Sequence, residues 1–275
     1  MSSELDFCSL TQNKEAEFVR WFYKQLSRKH FRLAFQPIMA VGAAGILYHE
    51  GLLRHVSGRM NINPFPILEA QRSIRLLDCY VVMSLIKTLR VNPEISLGCN
   101  ISAQSATLDA LWEPILDALR GEPDIARRLI IEITESSSFS SCDTSVDFVL
   151  RMRRLGGRIA IDDFGAGFST LSFVRDAEPD IIKIDMGYLH RARESTRASD
   201  TFEQLVKLCK TLAPCVIVEG VERSADRQRL LAASADWAQG FYLGKPALFP
   251  GSIKAPCWVE NKLSVFCRVR KIFDF

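Results

Sequence analysis

Strand-like and helix-like segments alternate along most of this chain, and that alternation limits the fold more than any single motif. Strand-like stretches recur about every 30 residues, the length of one strand–helix–strand unit, with helix-like stretches such as 104–119 and 199–212 between them. Strands joined through helices run parallel, because the crossover returns the chain to the same end of the sheet. The predicted strands are 33–38, 46–54, 96–101, 129–133, 158–161, 180–184, 216–218 and 238–241. About eight such strands that close on themselves predict an α/β fold of the (β/α)8 barrel type.

An open doubly wound sheet is the alternative arrangement for the same alternation. No Gly-x-Gly-x-x-Gly motif follows the first predicted strand, which disfavours a dinucleotide-binding version of that sheet. The length of 275 residues and the hydrophobic content of 48% suit a single barrel with a large core. The sequence therefore favours the barrel.

Charge and cysteine content limit the function classes. The net charge of +3 gives no sign of a nucleic-acid duplex as a partner. The eight cysteines form no Cys-x-x-Cys pair, so we interpret them as reduced thiols rather than as disulfides or a zinc site. No signal peptide is predicted, and no apolar run reaches the roughly 18 residues that a membrane span needs. These features predict a cytoplasmic protein.

The chain divides into three predicted parts. Residues 1–13 are polar and are predicted to be flexible, residues 14–250 form the folded domain, and residues 251–275 form a C-terminal tail. The domain begins with an amphipathic helix over 14–30, whose apolar residues recur at helical spacing. That helix either covers the bottom of the barrel or binds a partner, and the sequence leaves both open. The tail is apolar enough to dock against another surface.

Polar residues stand at the carboxyl ends of the predicted strands. In a (β/α)8 barrel these ends converge on one face, where active sites form. One such residue is usually a cap or a loop contact, but seven consecutive strand ends that each carry one are hard to obtain by chance. The residues are Glu50, Asn100, Glu132, Asp162 with Asp163, Lys183, Glu219 and Gln239.

The residue types at these strand ends indicate a hard metal ion. Carboxylate and amide oxygens are the ligands that Mg²⁺ and Mn²⁺ prefer, and no histidine or cysteine is placed to form a zinc site. Lys183 would be a cation within a strongly anionic cup, where it is suited to hold a water or a substrate oxygen.

Two adjacent acids, Asp162 and Asp163, follow the apolar strand 158–161, and Gly165 and Gly167 then turn the chain into a loop. Side-by-side carboxylates repel each other unless a cation lies nearby, and a divalent metal is the obvious candidate. The alternative is that the two acids cap a turn or the next helix. The stretch alone favours the turn, whereas the acids at the other strand ends favour the metal.

Eight segments of the chain resemble the EAL domain family, the cyclic di-GMP phosphodiesterases. The segments are 35–38, 50–54, 100–102, 132–135, 162–167, 183–185, 219–222 and 239–240, and their order and spacing over residues 31–246 are highly specific. Gly51 departs from the family signature, which has alanine there. Arg72 occupies the position of a later acid, and Val218 stands beside the metals where the family often has alanine. None of these departures removes a metal ligand.

The resemblance implies a modified TIM-like barrel whose first strand runs antiparallel to the others, and it implies roles for named residues. Two divalent ions, Mg²⁺ or Mn²⁺, would be held by Glu50, Asn100, Glu132, Asp162 and Asp163. The catalytic residues would be Lys183, Glu219, Glu50 and Gln239. Contacts with the dinucleotide would come from Gln36, Leu53, Arg54 and Asp185. Glu135 would anchor the loop 164–170 over the metals.

The activity that the resemblance implies is metal-dependent hydrolysis of cyclic di-GMP to linear pGpG, which lowers the level of this second messenger. The alternative is a catalytically weak or inactive family member that acts as a cyclic di-GMP receptor or a protein-interaction module. Inactive members typically lose ligands or the loop anchor, and all are present in this sequence. An unrelated metal-dependent barrel enzyme is disfavoured by the order of the motifs. A homodimer, or a protein partner bound through the N-terminal helix or the C-terminal tail, is compatible with each hypothesis.

Overall fold

The structure is a computed structural model that describes residues 2–56, 62–134, 142–166 and 171–248. Within these ranges the side chains of residues 2–12 and 142–143 are not described. The predicted tail over 251–275 and the predicted loop anchor Glu135 lie outside the described residues.

Strands and helices alternate in the structure as the sequence predicts. The strands are β1 (Phe31–Ala40), β2 (Ile46–His55), β3 (Leu97–Ser102), β4 (Leu129–Thr134), β5 (Arg158–Phe164), β6 (Ile181–Ile184), β7 (Cys215–Val218) and β8 (Trp237–Ala238). The helices are α1 (Ser2–Ser27), α2 (Phe65–Ala70), α3 (Ile74–Arg90), α4 (Glu113–Gly121), α5 (Pro123–Arg128), α6 (Cys142–Arg154), α7 (Leu171–Ala177), α8 (Met186–Arg191), α9 (Thr196–Leu212) and α10 (Ser224–Ala232).

The strands close into a barrel in the order β1 to β8. Successive strands from β2 to β8 pair in parallel, whereas β1 pairs antiparallel with both β2 and β8. The connection between β1 and β2 consists of residues 41–45 and is too short for a crossover helix. The two strands are therefore joined by a hairpin and run antiparallel. The closed barrel with its antiparallel first strand confirms the predicted fold class and rules out the open sheet.

Side chains alternate along each strand between the helices outside and the interior of the barrel. The interior positions form a small apolar cluster, which we call the inner cluster. It contains Ile38, Tyr48, Ile130, Ala160, Ile181 and Ile217. On each parallel strand of this cluster, the residue two positions later is polar, as with Ile130 before Glu132. The inner cluster therefore forms the floor beneath a polar cup at the carboxyl ends of the strands.

Helix α1 packs against the rim of the barrel where β2 ends. Phe22 contacts Phe31 with ring centroids 4.8 Å apart, and Phe31 pairs with His55, the last residue of β2. The hydroxyl of Tyr23 donates a hydrogen bond of 2.6 Å to the carbonyl of Ser73. The helix begins at Ser2, earlier than predicted, and it covers this rim rather than the bottom of the barrel.

The predicted single helix over 104–119 is wrong. A short 3-10 turn at Ala103–Ser105, capped by the Ser102 hydroxyl, ends at once, and α4 starts only at Glu113. A proline lies in the first turn of α4, where its missing N–H group costs no helical hydrogen bond. Trp112 Nε1 donates to the carbonyl of Ser105 over 2.9 Å and ties the intervening loop to the turn.

The structure explains how the signature tolerates Gly51. A Cβ atom at this position would lie 3.0 Å from Leu85 Cδ2 and 3.3 Å from the carbonyl oxygen of Gly98. Leu85 of α3 already fills the space that an alanine methyl would need, so the strand keeps its packing against the helix. The departure from the signature therefore leaves Glu50 in a normally packed strand.

Two composition-based expectations can be compared with the structure. The cysteines at 79, 99, 209 and 215 are free, in agreement with the prediction of reduced thiols. Within the described ranges, no helix is long and apolar enough to cross a membrane.

Candidate metal and substrate site

Carboxylates surround one lysine at the carboxyl ends of the strands. Lys183 Nζ lies 2.6 Å from Glu132 Oε2, 2.8 Å from Asp162 Oδ1, 2.8 Å from Glu219 Oε1 and 3.7 Å from Glu50 Oε2. Lys183 and Glu132 are fully buried. The residues come from β2, β4, β5, β6 and the position after β7, so closure of the barrel brings them together. We call these four carboxylates, with Asp163 and Lys183, the acidic cup.

Asp163 joins the acidic cup through an uncommon backbone conformation. Consecutive residues of a regular strand point to opposite faces, so Asp162 and Asp163 would not share a site. Asp163 has a φ of 53°, and the β5–β6 register shifts between Ile161 and Phe164. As a result, carboxylate oxygens of Asp162, Asp163 and Glu219 lie within 4.8 Å of one another. A non-glycine residue in this region typically costs about 1–3 kcal/mol, and such residues cluster at functional sites.

Two amide side chains orient Glu50. Asn100 Nδ2 donates to Glu50 Oε1 over 2.6 Å, and Gln239 Nε2 donates to Glu50 Oε2 over 2.5 Å. The amide oxygens Asn100 Oδ1 and Gln239 Oε1 are buried and have no hydrogen-bond partner among the described residues. Each amide therefore keeps an unused acceptor within the site.

The acidic cup carries more negative than positive charge. If all five carboxylates of the cup were ionised, the single ammonium of Lys183 would leave four negative charges without compensation. Burial raises the pKa of Glu219 to about 8 and the pKa of Glu132 well above its usual value, although Lys183 lowers both. Burial alone would lower the pKa of Lys183, but the surrounding carboxylates raise it well above its usual value. The lysine therefore stays charged, and further cations would relieve the excess negative charge.

The donor set of the cup fits a hard divalent cation. One group of neighbouring carboxylate oxygens comes from Glu50, Glu132 and Asp162, and a second comes from Asp162, Asp163 and Glu219. Glu132 Oε1 is buried without a hydrogen-bond partner among the described residues, as is the oxygen of Asn100. Unpartnered buried acceptors are costly unless a ligand meets them. Because all the donors are oxygens, the site suits ions such as Mg²⁺ or Mn²⁺ rather than zinc.

A cavity of about 330 Å³ opens beside the acidic cup. Asn100 and Asp163 form part of its wall, so the cavity and the cup are continuous. Leu53 and Arg54, two of the predicted dinucleotide contacts, line the same cavity. Arg54 is exposed and donates from Nη1 to the carbonyl of Leu53 over 3.0 Å, which holds its guanidinium at the rim.

Two acids in the cavity wall, Glu69 and Asp78, are not among the site residues predicted from the sequence. Glu69 Oε1 accepts a hydrogen bond of 2.7 Å from the Ser102 hydroxyl, and Asp78 Oδ2 accepts bonds from the Ser102 amide and the Ser105 hydroxyl. Burial raises the pKa of Asp78 to about 7, against the effect of these hydrogen bonds. The sequence does contain a signal for Asp78, because this acid interrupts a helix face that is otherwise apolar.

Three further predictions concern residues near the cup. Gln36 pairs with Glu50 in the β1–β2 register, and its Nε2 donates to the carbonyl of Gly244 over 3.0 Å. Asp185 caps α8 by accepting from the Gly187 amide, and its predicted substrate contact stays a prediction. The expectation that Val218 lies beside the metals is wrong, because this side chain packs in the main core, on the opposite side of the strand from the inner cluster.

An ion pair between the half-buried Arg193 and the buried Asp226 supports the loop that carries Glu219. Arg193 donates to Asp226 from Nε over 3.0 Å and from Nη2 over 2.9 Å, and Nη2 also donates to the carbonyl of Gly220 over 3.3 Å. Asp226 Oδ2 in turn accepts from the amide of Glu222 over 3.0 Å. Arg193 and Asp226 therefore fix the backbone immediately after Glu219.

We expect Arg193→Gln to lower the free energy of unfolding by about 1–3 kcal/mol, because Asp226 is left buried without its charged donor. The matched control is Arg90→Gln, which removes a more exposed bidentate pair with Glu122 and should cost less than about 1 kcal/mol. Urea unfolding tests both variants. Wild-type stability in Arg193→Gln would contradict the supporting role.

Comparison with protein families gives a match over most of the chain. A family model described as the EAL domain matches residues 19–246. Among curated proteins, the cyclic di-GMP phosphodiesterase PdeF of Escherichia coli is 27% identical over 230 residues, which cover 80% of this chain and 30% of PdeF. The chain spans about a third of the length of the first curated relatives it matches.

Solved structures of similar fold include complexes with a dinucleotide. The PaMucR phosphodiesterase in complex with c-di-GMP is 25% identical, with a TM-score of 0.74 over 84% of this chain and 97% of that chain. A calcium and cyclic-diGMP complex of BlrP1 from Klebsiella pneumoniae is also 25% identical, with a TM-score of 0.69 over 82% of this chain and 58% of that chain.

Proposed function

The chain belongs to the EAL domain family, and we propose that it is a metal-dependent phosphodiesterase that hydrolyses cyclic di-GMP to linear pGpG. The observation that carries the proposal is the acidic cup, in which the predicted ligands from several strands meet around Lys183 with excess negative charge and unpartnered buried oxygens. The cavity beside the cup supplies space for part of the dinucleotide. The names of PdeF and of the PaMucR complex support the same substrate.

Glu50, Asn100, Glu132, Asp162 and Asp163 would hold the ions, Mg²⁺ or Mn²⁺, two in number. When bound, such a pair lowers the pKa of water and stabilises both the attacking and the leaving oxygen of a phosphodiester. The chain's own part is to hold these oxygens in place, and Asn100 and Gln239 do so for Glu50 by hydrogen bonds to both of its carboxylate oxygens.

The remaining residues bind the substrate and handle the proton. The ammonium of Lys183 stabilises the negative charge that develops on the attacking water and on the phosphate. Glu219 Oε1, 2.8 Å from Lys183 Nζ, is suited to accept the proton of that water. Arg54 at the rim offsets the charge of a phosphate, and the acids in the cavity wall are suited to accept hydrogen bonds from the N–H groups of a guanine base.

A receptor without catalysis is the second candidate, because the family resemblance extends to members that bind the dinucleotide and do not cleave it. The two are separated by measuring the affinity for cyclic di-GMP and the formation of pGpG on the same preparation, with Mn²⁺, with Mg²⁺ and with EDTA. The proposed enzyme forms pGpG with either ion and loses this activity in EDTA. Binding without pGpG under every condition would favour the receptor.

Domain limits and partners are also proposals. We propose that residues 14–250 form the phosphodiesterase domain, a range that contains the family match over 19–246. The side chain of Trp21 on α1 is 42% exposed and offers an apolar contact for a protein partner through the N-terminal helix.

A further inference from the structure

Tyr48 is an unusual member of the inner cluster. The other members, such as Ile38, Ile130 and Ile217, are aliphatic, and Tyr48 is only 1% exposed. Its hydroxyl is buried and has no hydrogen-bond partner among the described residues. Buried tyrosine hydroxyls usually find a partner, since an unsatisfied one destabilises the fold. The hydroxyl therefore needs an explanation beyond the filling of space.

The ring of Tyr48 lies directly beneath the acidic cup. Tyr48 precedes Glu50 by two residues on β2, so both side chains point into the barrel, with Tyr48 one layer lower. Gly98 on β3 connects the two layers. A Cβ atom at Gly98 would lie 2.7 Å from Tyr48 Cε2 and 2.5 Å from Glu132 Oε1. The tyrosine ring and the Glu132 carboxylate therefore border the same glycine, in a space that only a residue without a side chain leaves open.

Lys183 holds one of the two carboxylate oxygens of Glu132. Glu132 Oε2 lies 2.6 Å from Lys183 Nζ, whereas Oε1, the oxygen beside Gly98, is buried without a hydrogen-bond partner among the described residues. Glu50 and Asp162 repel this carboxylate within the cup. A ligand carboxylate in such surroundings keeps its orientation best when a second donor holds its other oxygen.

Tyr48 is suited to supply that donor because its phenol carries a proton that it can donate. The hydroxyl and Glu132 Oε1 both have no hydrogen-bond partner among the described residues, so they are not bonded to each other directly. One water molecule between them would accept from the phenol and donate to the carboxylate.

We propose that Tyr48 is a positioning residue whose hydroxyl is hydrogen-bonded through a single water to Glu132 Oε1 and thereby fixes Glu132 as a ligand of the divalent cation. The inference rests on the proposed function, because it assumes that Glu132 binds a divalent ion. It adds to the proposed function that the orientation of a metal ligand depends on Tyr48, a residue of the inner cluster.

The opposite interpretation is that the ring merely fills the space left by Gly98 and Ala160. The two interpretations differ in what the hydroxyl does. If the ring only fills space, removing the hydroxyl relieves an unsatisfied polar group and leaves metal binding unchanged. If the hydroxyl positions Glu132, its removal weakens metal binding while the fold stays intact.

The experiment compares Tyr48→Phe with Tyr23→Phe by calorimetric titration of Mn²⁺ and by urea unfolding in EDTA. Tyr23 is the matched control, because it is equally buried and its hydroxyl donates to the carbonyl of Ser73, a residue of the α2–α3 connection rather than of the cup. We expect Tyr48→Phe to bind Mn²⁺ about tenfold more weakly, within the 10–100-fold range typical of partners of metal ligands. Tyr23→Phe should keep the wild-type Mn²⁺ affinity and unfold at lower urea concentration.

Turnover gives a second readout that a space-filling ring would not change. The loss of activity in Tyr48→Phe should be recovered by raising the Mn²⁺ concentration, with little change in KM for cyclic di-GMP. Wild-type Mn²⁺ affinity in Tyr48→Phe would overturn this inference and leave the proposed function standing. A wild-type protein that binds no Mn²⁺ would instead overturn the proposed function, and this inference with it.

Discussion

Lys183→Ala should lower the turnover of cyclic di-GMP by about 10²–10⁴-fold while the affinity for the dinucleotide changes far less. Lys183 Nζ lies within 2.8 Å of three carboxylates, and the side chain is 1% exposed, so its charge acts inside the water-excluded part of the site. A buried cation in this position stabilises charge that appears only as the reaction proceeds, which affects kcat more than binding. The measurement is kcat and the dissociation constant for cyclic di-GMP at saturating Mn²⁺.

The same substitution removes the only cation that the structure shows within the cup, so the variant must be shown to be folded before its rate is interpreted. Circular dichroism at saturating Mn²⁺ provides that check, because bound ions offset the loss of the ammonium. Lys210→Ala is the matched control. Lys210 Nζ also lies 2.8 Å from a carboxylate, that of Asp236, but on the surface, and this variant should turn over at the wild-type rate. A Lys183→Ala variant with wild-type kcat would contradict the role given to the lysine, although the family assignment would stand.

Glu50→Gln should weaken Mn²⁺ binding by at least about a hundredfold, because it replaces a proposed ligand itself. Loss of a residue that only hydrogen-bonds to a ligand already lowers metal affinity by about 10–100-fold. Both oxygens of Glu50 accept hydrogen bonds from amide groups, of Asn100 and Gln239. A glutamine would present its own NH₂ group to one of these donors, so the network would also be disturbed. Calorimetric titration of Mn²⁺ measures the effect directly.

The fold should survive this change, even though Glu50 is buried. The residue is 4% exposed, and its removal reduces the repulsion within a cluster of acids. The free energy of unfolding in EDTA should therefore stay the same or rise. Glu122→Gln, which alters a surface carboxylate paired with Arg90, is the control and should keep full Mn²⁺ affinity. Unchanged Mn²⁺ binding in Glu50→Gln would remove this residue from the metal site.

The barrel and the acidic cup could be predicted because both follow from periodicity. Alternation of strands and helices fixes the parallel order, and closure then brings the carboxyl ends of the strands together. Each inward polar residue lies two positions after an inward apolar one, as with Ala160 and Asp162, so the strand period alone assigns it to the cup. The family resemblance supplied the antiparallel β1, which the pattern of apolar residues does not specify.

The parts that could not be predicted depend on backbone conformation and on contacts distant in sequence. The left-handed backbone conformation of Asp163 cannot be recognised from the sequence, yet it brings the side chains of two adjacent acids into one site. Asp78 belongs to an apolar helix face and reaches the cavity only because α3 packs against β3. The sequence does not indicate that Tyr48 and Gly98 are in contact. The tyrosine ring occupies the space beside the glycine only because β2 and β3 are adjacent in the barrel.

The measurement that tests the central claim most directly is the product of cyclic di-GMP after incubation with the wild-type protein and Mn²⁺ in ¹⁸O-labelled water. Hydrolysis breaks one bond between phosphorus and a 3′ oxygen and adds a solvent oxygen to that phosphorus. The account predicts linear pGpG with one ¹⁸O atom in its terminal phosphate, and no product when EDTA replaces Mn²⁺. Recovery of intact cyclic di-GMP with Mn²⁺ and with Mg²⁺, from a protein that binds the dinucleotide, would contradict it.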